Sequence, residues 1–304
     1  MTRNLVNIAD FSKVEINEIL NIASQLKNEV KHNVKHHHLE NKTLIMLFEK
    51  PSARTRISFE TGMCQLGGNA IFLGPNDLAL GKRESIEDLA RVLSRYNDII
   101  MARVFDHDHI VKLAKFSTIP VINGLTNYNH PCQILSDGFT ILEKFGKLEN
   151  LKISFIGDGN NVFHSWLYMG QRFPLNINIA CPKGYEPNKN LVKKTEEIGI
   201  STVKISNDPY EIISDSDIVY TDVWASMGQE KESMIRTNKF SPFQVNERLM
   251  KAAGSNSYFF HCLPAHRGKE VTDEIIDGEK SVVFDQAENR LHVQKAIMQW
   301  CLEE

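Results

Sequence analysis

Thr43-Leu44-Ile45-Met46-Leu47-Phe48 runs directly into Glu49-Lys50-Pro51-Ser52-Ala53-Arg54-Thr55-Arg56. The first six residues, nearly all apolar, suit a strand covered on both faces, the usual state of a parallel sheet. After the charged turn the spacing predicts a helix over 55–66 and a further strand at 69–73. Strand, polar loop and helix in that order open a right-handed βαβ unit, because parallel neighbours need a crossover between them.

The same alternation extends in both directions. Upstream, Ser12 and Glu15 form a capping box before Ile16, Ile19, Leu20 and Ala23, which recur at helical spacing to about Val30. Downstream, strands are predicted at 99–103 and 119–123, and helices at 85–96, 109–116 and 132–145. Gly146-Lys147-Leu148-Glu149-Asn150 then forms a polar boundary. A second series follows, with strands at 152–156, 176–181, 202–205, 217–221 and 257–261. Its helices fall at 161–172, 188–198 and 243–252, and a last one at 288–302. The expected fold is α/β: two domains, each a mostly parallel sheet flanked by helices, joined by interdomain helices.

Composition limits the partners. The 304 residues are 42% hydrophobic and 24% charged, a balance that excludes a wholly disordered chain. Lys and Arg number 35 against 38 Asp and Glu, so nothing at the whole-chain level draws the protein to nucleic acid or a membrane surface. An anionic ligand must be met by a local cluster. No apolar run has the length of a membrane span, and the N-terminal residues lack a signal-peptide pattern. Cys64, Cys132, Cys181, Cys262 and Cys301 contain no CxxC pair, so neither a disulfide framework nor a thiolate metal site is expected. These features point to a reduced, cytoplasmic setting. Cys64, Cys181 and Cys301 are expected in the packing. His36-His37-His38 and Asp106-His107-Asp108-His109 are expected to be solvated and to hold no metal.

In open α/β sheets, ligands sit at the carboxyl ends of strands. The first such end carries Ser52, Arg54 and Thr55 at a helix opening, where free N–H groups, hydroxyls and guanidinium groups suit a phosphate. The strand at 99–103 ends in Arg103, and the strand at 119–123 leads to His130-Pro131-Cys132-Gln133. His130 can hydrogen-bond a carbonyl oxygen, and Gln133 can both donate and accept. Three strands delivering these groups to one edge describe a pocket for a small phosphate-bearing carbonyl compound. In the second half, Gly157-Asp158-Gly159-Asn160-Asn161-Val162 lacks the third glycine of a dinucleotide fingerprint, and Cys181-Pro182-Lys183 lacks the ribose-binding acid. A nicotinamide dehydrogenase is therefore disfavoured. Asp222 with Ser226 could hold an ammonium group, and Asn161 a carboxylate. Cys262 ends a strand, but His261 beside it points to the other face, which argues against a Cys–His dyad unless His266 folds back.

Four segments carry a family resemblance: Ser52-Ala53-Arg54-Thr55-Arg56, His130-Pro131-Cys132-Gln133, Asp222-Val223-Trp224-Ala225-Ser226-Met227-Gly228 and His261-Cys262-Leu263-Pro264. In order and spacing, over essentially the whole chain, the sequence resembles the ornithine carbamoyltransferases of the aspartate/ornithine carbamoyltransferase family. The first two segments are shared with the aspartate enzymes. The last two point to ornithine.

The resemblance implies transfer of the carbamoyl group of carbamoyl phosphate to L-ornithine, giving L-citrulline and phosphate, with no cofactor and no metal. It implies a carbamoyl phosphate-binding domain over 1–146, an ornithine-binding domain over 147–286, and a C-terminal helix over 287–304 returning to the first. Carbamoyl phosphate would meet Ser52, Ala53, Arg54, Thr55, Arg103, His130, Pro131, Cys132, Gln133, Cys262, Leu263 and Arg290. Of these, Arg54, Arg103, His130, Cys262 and Arg290 would be catalytic. Ornithine would meet Asn161, Asp222, Ser226, Met227 and Cys262, with Trp224 packing the loop. Two positions depart from the family pattern: Ala53 replaces a usual Thr, and Ala79 a usual Gln, in a loop over 78–84 that also carries Lys82 and Arg83. The family assembles as trimers, and that loop is the segment expected to reach a neighbouring subunit. A carbamoyltransferase for putrescine or an acylated ornithine is the alternative, although putrescine has no need of Asp222, Ser226 and Met227.

Overall fold

The structure, a computed structural model, describes residues 2–77, 84–225 and 230–303. The chain divides into two compact units, one of residues 1–139 with 289–304, the other of 140–288. The first contains α1 (Lys13–Lys31), β1 (Thr43–Phe48), α2 (Ala53–Gln65), β2 (Asn69–Leu73), α3 (Ile86–Tyr96), β3 (Ile99–Arg103), α4 (His107–Phe116), β4 (Val121–Leu125) and the start of α5 (Pro131–Phe145). The second contains the rest of α5, then β5 (Leu151–Ile156), α6 (Asn161–Gly170), β6 (Leu175–Ala180), α7 (Lys189–Ile198) and β7 (Thr202–Ser206). It continues with β8 (Ile218–Thr221), α8 (Ser233–Phe240), α9 (Glu247–Ala253), β9 (Tyr258–His261), α10 (Asp273–Ile276) and the start of α11 (Val283–Leu302).

Both sheets are parallel, as the apolar strands predict. The first has the order β2-β1-β3-β4 and the second β7-β6-β5-β8-β9. In each sheet the connections reverse direction once: between β1 and β3, where Phe48 pairs with Arg103, and between β5 and β8, where Ile156 pairs with Thr221. Crevices open at the carboxyl ends of strands at such reversals. Ser52 and Arg103 follow the first reversal, Asn160 and Asp222 the second.

Several elements differ from the sequence expectation. β4 begins two residues late, since Pro120 has no N–H for the ladder and only its carbonyl pairs, with the Ile100 N–H at 2.9 Å. α4 begins two residues early because Asp106 caps it, its carboxylate accepting from the Asp108 N–H at 2.9 Å. α11 starts at Val283, five residues before the expected 288. α8 and α10 have no apolar periodicity; the buried face of α8 consists of Arg236 and Phe240. Cys64 is exposed rather than packed, because α2 buries Thr55, Phe59, Gly62 and Met63 and turns Cys64 outward. His36 is buried rather than solvated. Its Nε2 lies 2.6 Å from the Lys295 ammonium and its Nδ1 3.1 Å from Glu29. Burial lowers the Lys295 pKa to about 8.

Gly159 shows why the β5–α6 turn has the glycines it has. A Cβ there would stand 2.7 Å from the Glu186 carbonyl carbon and the Pro187 Cα, against backbone that cannot swing aside. Gly159→Ala should therefore cost at least about 2 kcal/mol, since overpacking against main chain has no cheap relief. Urea unfolding of the variant beside the parent measures it, and an unchanged midpoint would contradict this account of the turn.

Candidate active site

In the first unit, Ser52 caps α2. Its hydroxyl accepts from the Thr55 N–H at 3.3 Å and donates to Thr55 Oγ1 at 3.0 Å. Ala53 and Arg54 open the helix, so their N–H groups have no carbonyl one turn back and remain available to a ligand. The Arg54 side chain makes no hydrogen bond or ion pair among the described residues. Arg290, on α11, donates to Thr55 Oγ1 at 2.8 Å. With both lone pairs of that oxygen engaged, the Thr55 hydroxyl proton is left for a third partner.

Arg103 is buried at the end of β3, and its carbonyl accepts from the Glu49 N–H at 3.0 Å, closing the β1 turn on it. Lys50, which the sequence reading passed over, is also buried; its ammonium donates to Asn127 Oδ1 at 2.8 Å and lies 5.0 Å from the Phe105 ring. His130 precedes α5 and is 5% exposed. The segment leading to it is pinned by Asn123, whose amide donates to Asn129 Oδ1 at 2.6 Å and to the Val6 carbonyl at 2.9 Å. Burial first, then Arg290, Arg103 and Lys50, hold the His130 pKa well below the usual histidine value. The imidazole is neutral and surrounded by cations. Pro131 is the first residue of α5. Cys132 is buried, with its thiol against the Asn123 carbonyl at 3.3 Å and its pKa pushed up to about 12 by burial, which leaves it inert. Gln133, buried next to it, donates through Nε2 to Asp137 Oδ1 at 2.8 Å.

In the second unit, Asn160 caps α6. Its Oδ1 accepts from the Val162 and Phe163 N–H groups at 2.9 and 3.2 Å, while its Nδ2 donates to Asp222 Oδ2 at 2.8 Å. Asn161, the predicted ligand, is the half-exposed first residue of that helix. Asp222 is buried after β8 and also accepts from the Val223 N–H at 2.8 Å and the Cys262 thiol at 3.0 Å. Asp158 pairs with Arg236 at 2.6 Å, and Arg236 also donates to the Trp224 carbonyl at 2.9 Å. Burial raises the Asp158 pKa despite that partner. Trp224 is buried near Phe240, their ring centroids 6.1 Å apart.

No Cys–His dyad forms. His261 Nδ1 accepts from the Leu263 N–H at 2.8 Å and its Nε2 faces the buried Glu270 at 3.3 Å, while the His266 N–H also donates to Glu270 at 2.5 Å. Leu263, at φ +55°, carries the chain into the turn after Cys262. Asp222, His261 and Cys262 place ligand-type atoms within 4.8 Å of one another, the one such group among the described residues. The contacts just given already engage these atoms. Ser226, Met227, Ala79, Lys82 and Arg83 lie outside the described residues. The sequence-read groups thus fall into two sets. Ser52, Ala53, Arg54, Thr55, Arg103, His130, Pro131, Cys132, Gln133 and Arg290 belong to the first unit, and Asn161, Asp222, Cys262 and Leu263 to the second. Among the described residues no helix is long and apolar enough to cross a membrane.

Comparison with known proteins also gives two domains, although the second family match runs through α11 and so includes Arg290. The carbamoyl-P binding domain of the aspartate/ornithine carbamoyltransferases matches residues 3–143, and their Asp/Orn binding domain matches residues 149–301. The chloroplastic ornithine carbamoyltransferase of Pisum sativum is 53% identical over 297 residues, covering 97% of this chain and 79% of its own. The anabolic ornithine carbamoyltransferase of Pyrococcus furiosus is 50% identical over 299 residues, covering 97% of this chain and 95% of its own. A solved ornithine carbamoyltransferase structure from Pyrococcus furiosus matches with a TM-score of 0.93 at 49% identity, covering 98% of this chain and 96% of its own. That of the anabolic enzyme from Campylobacter jejuni matches with a TM-score of 0.92 at 38% identity, covering 98% of each chain. With both domains matched in order across nearly its full length, the chain belongs to the aspartate/ornithine carbamoyltransferase family.

Proposed function

We infer that the protein is an ornithine carbamoyltransferase, which transfers the carbamoyl group of carbamoyl phosphate to the δ-amine of L-ornithine and yields L-citrulline and phosphate in arginine biosynthesis. The observation that carries this reading is the first unit's sheet edge, which brings together the open N-terminus of α2, Thr55 bonded to Arg290, and a buried His130 acted on by Arg290, Arg103 and Lys50, in a chain about half identical to enzymes of that name. The N–H groups of Ala53 and Arg54 and the Arg54 and Arg103 guanidinium groups receive the phosphate, and the Ser52 hydroxyl joins them by turning its proton from Thr55 Oγ1 to the ligand. His130, the Thr55 hydroxyl and Arg290 donate to the carbamoyl oxygen. Pro131 and Cys132 wall the group, and Gln133 Oε1 accepts from its nitrogen. In the second unit, Asp222 and Ser226 hold the α-ammonium, Asn161 and the Met227 backbone hold the carboxylate, and Cys262 and Leu263 border the reacting end.

The deprotonated δ-amine attacks the carbamoyl carbon, and the bond to the phosphate oxygen breaks as the amine passes its extra proton to the departing phosphate. Negative charge collects on the carbamoyl oxygen as the tetrahedral centre forms, where donors already in place stabilise it without rearrangement. A neutral His130 contributes one N–H and gives up no proton.

Citrulline formation from carbamoyl phosphate with ornithine, against putrescine as the alternative amine, tests the activity directly; equal use of putrescine would remove ornithine from the reading. Arg54→Ala should lower kcat/KM by about a thousandfold, and Arg54→Lys should recover little of it, since an ammonium cannot reproduce the guanidinium fork. In the same assay, Asp222→Asn should raise the ornithine KM at least about tenfold and leave carbamoyl phosphate binding nearly unchanged. Nitrogen NMR at pH 6, where a solvated histidine is about three-quarters protonated, should still find His130 neutral. Assembly as a homotrimer is part of this proposal, and light scattering should then report about three times the chain mass of 34.7 kDa.

A further inference from the structure

Gln133 and Asp137 stand one turn apart on α5, 1% and 0% exposed. The 2.8 Å contact runs from Gln133 Nε2 as donor to Asp137 Oδ1 as acceptor, so the amide nitrogen faces the carboxyl and the amide oxygen faces away from it. The other end, Oε1, is buried and has no hydrogen-bond partner among the described residues. Native structures seldom leave a buried acceptor unmet without a use for it. On a solvated helix surface an i,i+4 Gln–Asp pair would be ordinary helix support. Here neither group meets water, and the pair occupies the donor end of the amide while keeping the acceptor end open.

We propose that Asp137 is a positioning residue for specificity: by fixing the Gln133 amide with its oxygen outward, it makes the site select acyl phosphates that carry N–H donors. The proposal rests on the reading that carbamoyl phosphate binds in this unit. Carbamoyl phosphate offers two N–H donors to Oε1. Acetyl phosphate has the same phosphate and carbonyl but presents a methyl group, which strips water from Oε1 and gives nothing in return. Sites built to pair with a substrate N–H reject the analogue lacking it far more strongly than apolar pockets reject a size change. An amide free to turn would lose that discrimination, because Nε2 makes no such demand for a donor.

The test is equilibrium titration of the full chain with carbamoyl phosphate, acetyl phosphate and inorganic phosphate. The informative quantity is the ratio of the acetyl phosphate Kd to the carbamoyl phosphate Kd, from which phosphate affinity and general loosening cancel. The parent protein should show a ratio of at least about a hundred. In Asp137→Asn, whose side chain can face Gln133 with either its oxygen or its nitrogen, the ratio should fall about tenfold or more while the inorganic phosphate Kd holds. Asp137→Ser, a hydroxyl that both donates and accepts, carries the same expectation should the Asn protein fail to fold. A parent ratio within about threefold of unity, or a folded variant that keeps the parent's ratio, overturns the proposal. A parent that binds inorganic phosphate but not carbamoyl phosphate overturns the functional reading beneath it instead.

Discussion

His130 stays uncharged among cations, and much of the first unit is arranged around that condition. Burial and three positive neighbours make its protonation unfavourable, so the imidazole persists as a neutral donor. Gathering buried cations is expensive unless each keeps hydrogen bonds. Arg290 is bonded to the Thr55 hydroxyl and Lys50 to the Asn127 amide, neutral partners that hold the side chains in place. The parallel sheet makes the gathering possible, because β1, β3 and β4 all deliver their following loops to one edge.

The second unit solves the opposite problem at the corresponding edge of its own sheet. Asp222 is a buried anion fed by an amide, a backbone N–H and a thiol, three neutral donors that orient it without removing its charge. A cationic amine can then supply the compensation. Asp158, one loop away, receives a full counter-charge from Arg236 and is spent as structure. Two carboxylates in neighbouring loops thus have different uses, and their partners tell them apart. Arg236 also reaches the Trp224 carbonyl, so one guanidinium spans the loop after β5 and the loop after β8.

What could be read from the sequence was whatever repeats or caps. β1, β2 and β3 fall where their apolar runs lie, and Ser12, Ser52 and Ser85 sit at helix starts, as their hydroxyls favour. The four motifs begin at or just after the carboxyl ends of β1, β4, β8 and β9. Residues whose role depends on burial by distant chain were out of reach. Lys50 looks like any turn lysine until Asn127 and Phe105 enclose it, and His36 like a solvated one until Lys295 arrives from the far end of the sequence. α8 was missed because its inward face carries Arg236, a residue that hydrophobic periodicity scores as surface. Asn160 was legible in principle: Asn is among the favoured helix caps, and choosing Asn161 alone overlooked the residue that braces Asp222.

Ala53 fits the same economy. Its position lacks the hydroxyl common in the family, yet it is the first residue of α2, where the backbone N–H has no carbonyl one turn back and is open to an anion whatever the side chain. The Ser52 hydroxyl is already directed at Thr55, and Thr55 in turn is held by Arg290. An added hydroxyl at residue 53 would contribute one more neutral donor beside donors that the helix supplies regardless of sequence. Arg54 is different in kind. It is half-buried with no hydrogen bond or ion pair among the described residues, and no backbone group can supply its positive charge. The helix therefore tolerates change in the side chain whose donor it duplicates, and depends on the one whose charge it cannot.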